Sequence, residues 1–197
     1  MSNTSKEVQF WEWFAQHQEA LYLADENALE LLQLLNQELG KVCPDLTFEL
    51  STAADEVTKI LCISADGMKV HFPAVIDLVK EAPSFQNWTI RAFRQRIPND
   101  GIAIALGDLE LSYDDLYFLY NDDYDTVNIE IHARGYEDSN TFISAIFVLL
   151  DALLGEYDVA TQISTIEWKE LDEDNIPHLS PFVLLRGLID LHKARKN

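Results

Sequence analysis

The hydrophobic period of this chain switches from alternating to helical and back twice, in the same order, and that order leaves few folds open. LTFEL (46–50) and VTKILCISA (57–65) are rich in branched and aromatic residues and flank the polar STAADE, so they read as a β-hairpin. FPAVIDLVKEA (72–82) returns to helical spacing, with Pro73 tolerated in the first turn and Pro83 ending the element, and WTIRAFRQR (88–96) reads as a strand. The order then recurs. LYFLY (116–120) and TVNIEIHA (126–133) flank NDDYD, and a helix over 139–154, closed by Gly155, precedes the strand TQISTIEWKEL (161–171). The first hairpin exits through ISADG and the second through IHARG, so Gly67 and Gly135 fall at matching places. We expect two ββαβ units, 46–96 and 116–171, related by structural duplication; chance recurrence of the same order is the open alternative.

Helical periodicity dominates both ends of the chain. Residues 5–23 read as a helix capped by Ser5, and a second follows with Asp25 as cap, the stripe Ala28, Leu31, Leu32, Leu35, Leu39, and Gly40 as stop, giving a helical hairpin over 5–40. On the first helix FWEWFAQHQ (10–18) carries apolar side chains around more than half the circumference, which makes it the plug of a core, with His17 inside the apolar arc. GIAIALGDLELS (101–112) reads as a connecting strand or hairpin, and Ser180 and Pro181 open a C-terminal helix over 180–195 that ends in basic residues. No Gly/Ser-rich or Pro-rich linker divides the chain, so a single domain over 1–197 is expected. The fold class is α+β: a mixed, largely antiparallel sheet from two ββαβ-like units packed against helices, with an N-terminal helical hairpin and a C-terminal helix.

Charge narrows the partners. Fourteen Lys and Arg stand against 34 Asp and Glu, a formal charge of -20. Nucleic acid and anionic membrane both require a positive footprint, so neither is expected as a partner, whereas a basic protein surface would be attracted. FISAIFVLLDALL (142–154) is too short for a membrane span and carries Asp151. The N-terminus lacks the pattern of a secretory leader, so a cytoplasmic location is the expectation. Cys43 and Cys62 form neither a CxxC pair nor a disulfide framework and read as reduced, buried thiols.

Few residues propose a chemistry. GxSxG, HExxH, GxxxxGK[ST] and GxGxxG are absent, no residue stands out as catalytic, and the pattern argues against an enzyme more than for one. The histidines are scattered, none at a metal-ligand spacing from another His or a Cys, so neither a metal nor any other cofactor is expected. NDDYD (121–125) brings carboxylates together, but its surroundings miss the EF-hand pattern and suit a solvated turn. Asp108, Glu110, Asp114, Asp115, Asp122, Asp123 and Asp125 form a run without Lys or Arg; Asp114, Asp115, Asp122, Asp123 and Asp125 are its candidate binding residues, against the plainer reading of a solvated edge. On the strand 88–96, alternation puts Trp88, Arg94 and Arg96 on one face, a candidate site for a carboxylate or phosphate unless both arginines pair with the surplus acids.

FWEWF, the passage from ISADG to LVKEAPSFQNWTIRAFRQ, and LLDALLGEYDVATQI together resemble an uncharacterised bacterial family of acidic proteins of about this length. That family has an FW.WF helix, an AP…W.I.AF segment and an LD..LGE…A segment. The resemblance spans nearly the whole chain, implies a bacterial cytoplasmic protein, and carries no activity, cofactor or catalytic residue. Three functions compete: a non-enzymatic acidic interaction module that binds a basic partner as an inhibitor or immunity-like protein; a small-molecule-binding protein or unrecognised enzyme with a pocket between the two ββαβ units; and, third, a nucleic-acid mimic, which needs carboxylates spaced like phosphates along one face.

Overall fold

A computed structural model describes residues 4–25, 27–123 and 125–196. Residues 1–3 of the leader reading, Glu26, Tyr124 of the NDDYD turn and Asn197 lie outside the described residues. The fold is α+β, and its contacts gather into two compact units that meet in sequence at Arg94 and Gln95. No helix among the described residues is long and apolar enough to cross a membrane.

The first unit opens with helices α1 (Lys6–Tyr22) and α2 (Leu29–Val42). Ser5 caps α1 by accepting from the Val8 amide at 3.3 Å, as its position before a helical run requires. Strands β1 (Thr47–Thr52) and β2 (Lys59–Ser64) form the antiparallel hairpin, helix α3 (Phe72–Lys80) crosses over, and β3 (Trp88–Ala92) returns parallel to β2. The aromatic face of α1 closes this core: Phe10, Trp11 and Phe14 are buried, and the Phe14 ring meets Phe85 and Trp88 edge-on at 5.0 and 5.1 Å. Trp11 also satisfies its buried indole N–H by donating to the Leu78 carbonyl at 2.8 Å, pinning α1 to the end of α3.

The second unit begins with the hairpin β4 (Ala103–Leu106) and β5 (Leu109–Ser112), turned at Gly107 with φ +65°. Strands β6 (Leu116–Asp122) and β7 (Val127–Ala133) pair antiparallel, and β8 (Ile163–Glu170) lies parallel to β7. Between them run α4 (Asn140–Leu154) and α5 (Glu156–Gln162), joined by Gly155 at φ +85°. Ile146, Leu149, Leu150 and Leu153 of α4 share a core with Phe118, Ile129 and Ile131 of the sheet and with Leu185 and Ile189 of α6 (Leu184–Ala194).

Both units therefore add a parallel strand to an antiparallel hairpin, and the turns that leave the hairpins correspond in detail. Ile63, Ser64 and Ala65 are buried before exposed Asp66 and Gly67, and Ile131, His132 and Ala133 are buried before exposed Arg134 and Gly135. Met68 donates to the Ala65 carbonyl at 2.9 Å and Tyr136 to the Ala133 carbonyl at 3.3 Å, with both glycines left-handed at φ +74° and +68°.

Three boundaries differ from the sequence reading. Helix α2 has Ala28 rather than Asp25 at its N-cap and, instead of stopping at Gly40, runs on to Val42. β3 stops at Ala92 because Phe93 adopts φ +65°, a conformation unfavourable for an aromatic residue, while its buried ring packs on Phe72 at 4.5 Å. Arg94 and Arg96 thus leave the ladder rather than share a strand face with Trp88. Ser180 and Pro181 form the short strand β9 against β6 instead of capping the last helix, which starts at Leu184. Proline is tolerated there because β9 lies at the sheet edge, where a missing N–H leaves no ladder bond unmade.

Replacing Gly67 or Gly135 with alanine should cost about 1 kcal/mol each, since both need a left-handed backbone and neither Cβ meets an obstacle. Phe14→Ala, which empties the fully buried plug, should cost about 3–5 kcal/mol. Urea unfolding of the three variants checks both the turn equivalence and the larger loss.

Candidate functional site

Trp88 lines a shallow cavity of about 320 Å³ with Val79, Ala82, Pro83, Ser84, Phe85 and Ile90. Among the described residues no charged side chain lines it. Arg94 is engaged by Glu49 and, at 2.6 Å, by Asp66; burial works against its charge, but these carboxylates hold its pKa well above the ordinary value. Arg96 reaches Asp158 at 2.9 Å and Asp190 at 2.7 Å, and donates to the Leu154 carbonyl. Both guanidiniums therefore spend their donor forks on carboxylates of their own unit.

The acidic run separates into two sets. Asp115 accepts from Ser112 and Arg134, and Asp122 accepts from His192 at 2.8 Å and from Arg195. Asp108, Glu110, Asp114, Asp123 and Asp125 are exposed, and among the described residues no Lys or Arg side chain pairs with their carboxylates. Asp123 accepts from Asn128 at 2.9 Å, which makes it part of the hairpin turn.

Seven Lys and Arg face twenty Asp and Glu in the second unit, and every one of the seven has an internal partner. Arg96, Arg134, Lys169, Arg186, Lys193 and Arg195 form ion pairs, and Lys196 donates to the Asp125 carbonyl and to Gln162. Asp108, Glu110, Asp114, Asp123 and Asp125 of the carboxylate excess lie at the surface, whereas Glu156 is buried.

Histidines take varied places. His17 donates from Nδ1 to the Trp13 carbonyl at 2.8 Å and stacks on the Trp13 ring, a backbone-satisfied histidine on the plug helix. His192 is 1% exposed; Nδ1 donates to Asp122, while Nε2 has no hydrogen-bond partner among the described residues. This pair fastens α6 to the end of β6.

A further group of chemically capable side chains lies in the first unit. Cys43 follows the last residue of α2, and the Leu46 amide donates back to its carbonyl at 3.2 Å, closing a tight turn through Pro44 and Asp45. Pro44 presets the turn, and buried Leu46 anchors its exit. His71 ends the single 3₁₀ turn Lys69–His71 and immediately precedes α3, held in place by buried Phe72. The Cys43 sulfur lies 3.3 Å from His71 Nδ1, and an Asp45 carboxylate oxygen lies 3.1 Å from His71 Nε2. One donor atom from each of the three residues falls within 4.8 Å of the others.

Spacing along the chain separates His71 from Cys43, whereas the fold places them in contact; Cys43 is also half-buried rather than buried. The signal in the sequence is the C-P-D turn at the end of α2. Its partner arrives only through the crossover after β2. No protein-family model, curated protein or solved structure matches the chain.

Burial would raise the Asp115 carboxyl, but the hydrogen bonds from Ser112 and Arg134 and the Arg134 charge together hold it below its ordinary value of 3.8. A depressed folded value stabilises the native state above 3.8, and that contribution disappears as pH falls through the folded value. Asp115→Asn should accordingly be less stable than wild type near neutrality, with the gap closing in urea melts taken progressively below pH 3.8.

Proposed function

We propose that the protein is a non-enzymatic, acidic interaction module of a bacterial cytoplasm that docks onto a basic protein surface, in the manner of an inhibitor or immunity-like partner. The observation that carries this reading is the internal use of every cation in the second unit, which leaves Asp108, Glu110, Asp114, Asp123 and Asp125 outward-facing with no Lys or Arg paired to them among the described residues. Carboxylates arranged this way raise the association rate with a positive partner, disfavour polyanions, and lose their reach as salt shortens the screening length. Solubility alone would explain a high net charge. A docking role additionally requires that these particular carboxylates be recognised.

The candidate residues divide accordingly. Asp114 and Asp125 are available to a partner, Asp123 is bonded to Asn128 within its turn, and Asp115 and Asp122 hold the fold. A ligand pocket using Trp88, Arg94 and Arg96 is the second reading, and for it to bind an anion the ion pairs of Arg94 with Glu49 and Asp66 and of Arg96 with Asp158 and Asp190 would have to open.

The test compares wild type with the triple variant Asp108→Asn, Glu110→Gln, Asp114→Asn as bait in parallel pull-downs at low and moderate salt. The expected result is a basic protein retained by wild type at low salt, released by moderate salt and lost from the variant, whose circular dichroism is unchanged. Capture that survives both salt and neutralisation, or no protein that the variant loses, overturns the electrostatic docking reading.

A further inference from the structure

We propose that Cys43, Asp45 and His71 form a site for a divalent transition-metal ion, zinc foremost, with three protein donors and a fourth position open to solvent. The donor set is the first argument. Thiolate and imidazole are the ligands that select zinc and its neighbours over magnesium or calcium, and a carboxylate completes a mixed S/N/O set.

The separations are the second argument. Two ligands of a tetrahedral zinc at ordinary bond lengths stand about 3.5 Å apart. Sulfur to Nδ1 is 3.3 Å, and one donor atom from each of the three residues lies within 4.8 Å of the others. The ion takes one ring nitrogen. The Asp45 side chain, 54% exposed on its turn, has the freedom to close the remaining distance, while His71 is 23% exposed.

The same residue types also suggest a Cys–His–Asp nucleophile relay, and here the geometry decides. In a relay the thiol and the carboxylate lie in line with opposite ring nitrogens, which puts sulfur and carboxylate oxygen about 8 Å apart. The observed separation is within 4.8 Å, so the two groups converge on one side of the ring instead of bracketing it.

The experiment is a cobalt(II) titration of the chelator-treated full chain, read by absorption, followed by zinc competition. The expected result is a near-ultraviolet thiolate-to-cobalt charge-transfer band with visible d–d bands of a four-coordinate site, both abolished by zinc. Cys43→Ser should remove the charge-transfer band and Cys62→Ser should keep it, while Asp45→Asn should weaken cobalt binding about tenfold or more. Should Cys43→Ser fail to fold, zinc protection of Cys43 from alkylation in wild type, mapped by mass spectrometry, decides the same question. Cobalt binding without a thiolate band, a band that depends on Cys62, or Cys43 alkylated equally with and without zinc overturns the proposal.

Discussion

The arrangement on which both halves of the chain depend is a strand laid parallel to the second strand of a hairpin. Antiparallel neighbours can be joined by a tight turn, but a parallel neighbour requires the chain to travel back along the sheet, and a helix is the compact way to do so. Leaving the hairpin requires a sharp turn, and Gly67 and Gly135 supply it in left-handed conformations. The return paths then diverge. In the first unit it is short, a 3₁₀ turn and α3, and it deposits His71 against the end of α2 and the Leu78 carbonyl under Trp11. In the second it takes α4 and α5, and the longer apolar α4 fills a larger core. One constraint thus generates both the plug contact of the first unit and the helical core of the second.

Scarcity of cations shapes the remainder. A guanidinium offers five donors in a fixed fork, so one arginine can hold two carboxylates, and Arg96 and Arg134 each do. Individually such partly exposed pairs contribute little to stability. Their larger effect is on distribution. Because six of the second unit's seven cations are paired with particular acids, carboxylates such as Asp115 and Asp122 join segments far apart in sequence, while Asp108, Glu110, Asp114, Asp123 and Asp125 are left facing solvent.

Elements whose residues carry a strong local signal were legible from the sequence: the capped α1, the apolar α4 with its terminal glycine, the two hairpins and the glycine exits all follow from periodicity and turn chemistry. Features set by tertiary contact were not. Phe93 is forced into a left-handed backbone by the anchoring of its ring, which no propensity indicates, and this removed Arg94 and Arg96 from the strand. Ser180 and Pro181 have the composition of a helix start, yet pairing with Phe118 and Tyr117 captured them. The passage between the two units at Arg94 and Gln95 carries no linker composition to reveal it. Cys43 and His71 meet only because the start of the crossover after β2 passes beside the end of α2, a consequence of topology and not of spacing.

The acidity of the chain bears on how a metal at Cys43, Asp45 and His71 is to be recognised. A formal charge of -20 raises the local concentration of every divalent cation, magnesium and calcium as much as zinc, by the same long-range attraction. Binding strength at low salt is therefore uninformative, since scattered surface carboxylates attract such ions without forming a site. What those carboxylates lack is sulfur. Thiolate ligation discriminates among ions of equal charge by softness, an effect of direct coordination that does not depend on the surrounding field. In a protein this acidic, selectivity for a thiophilic ion separates three converging side chains from the general pull of the surface.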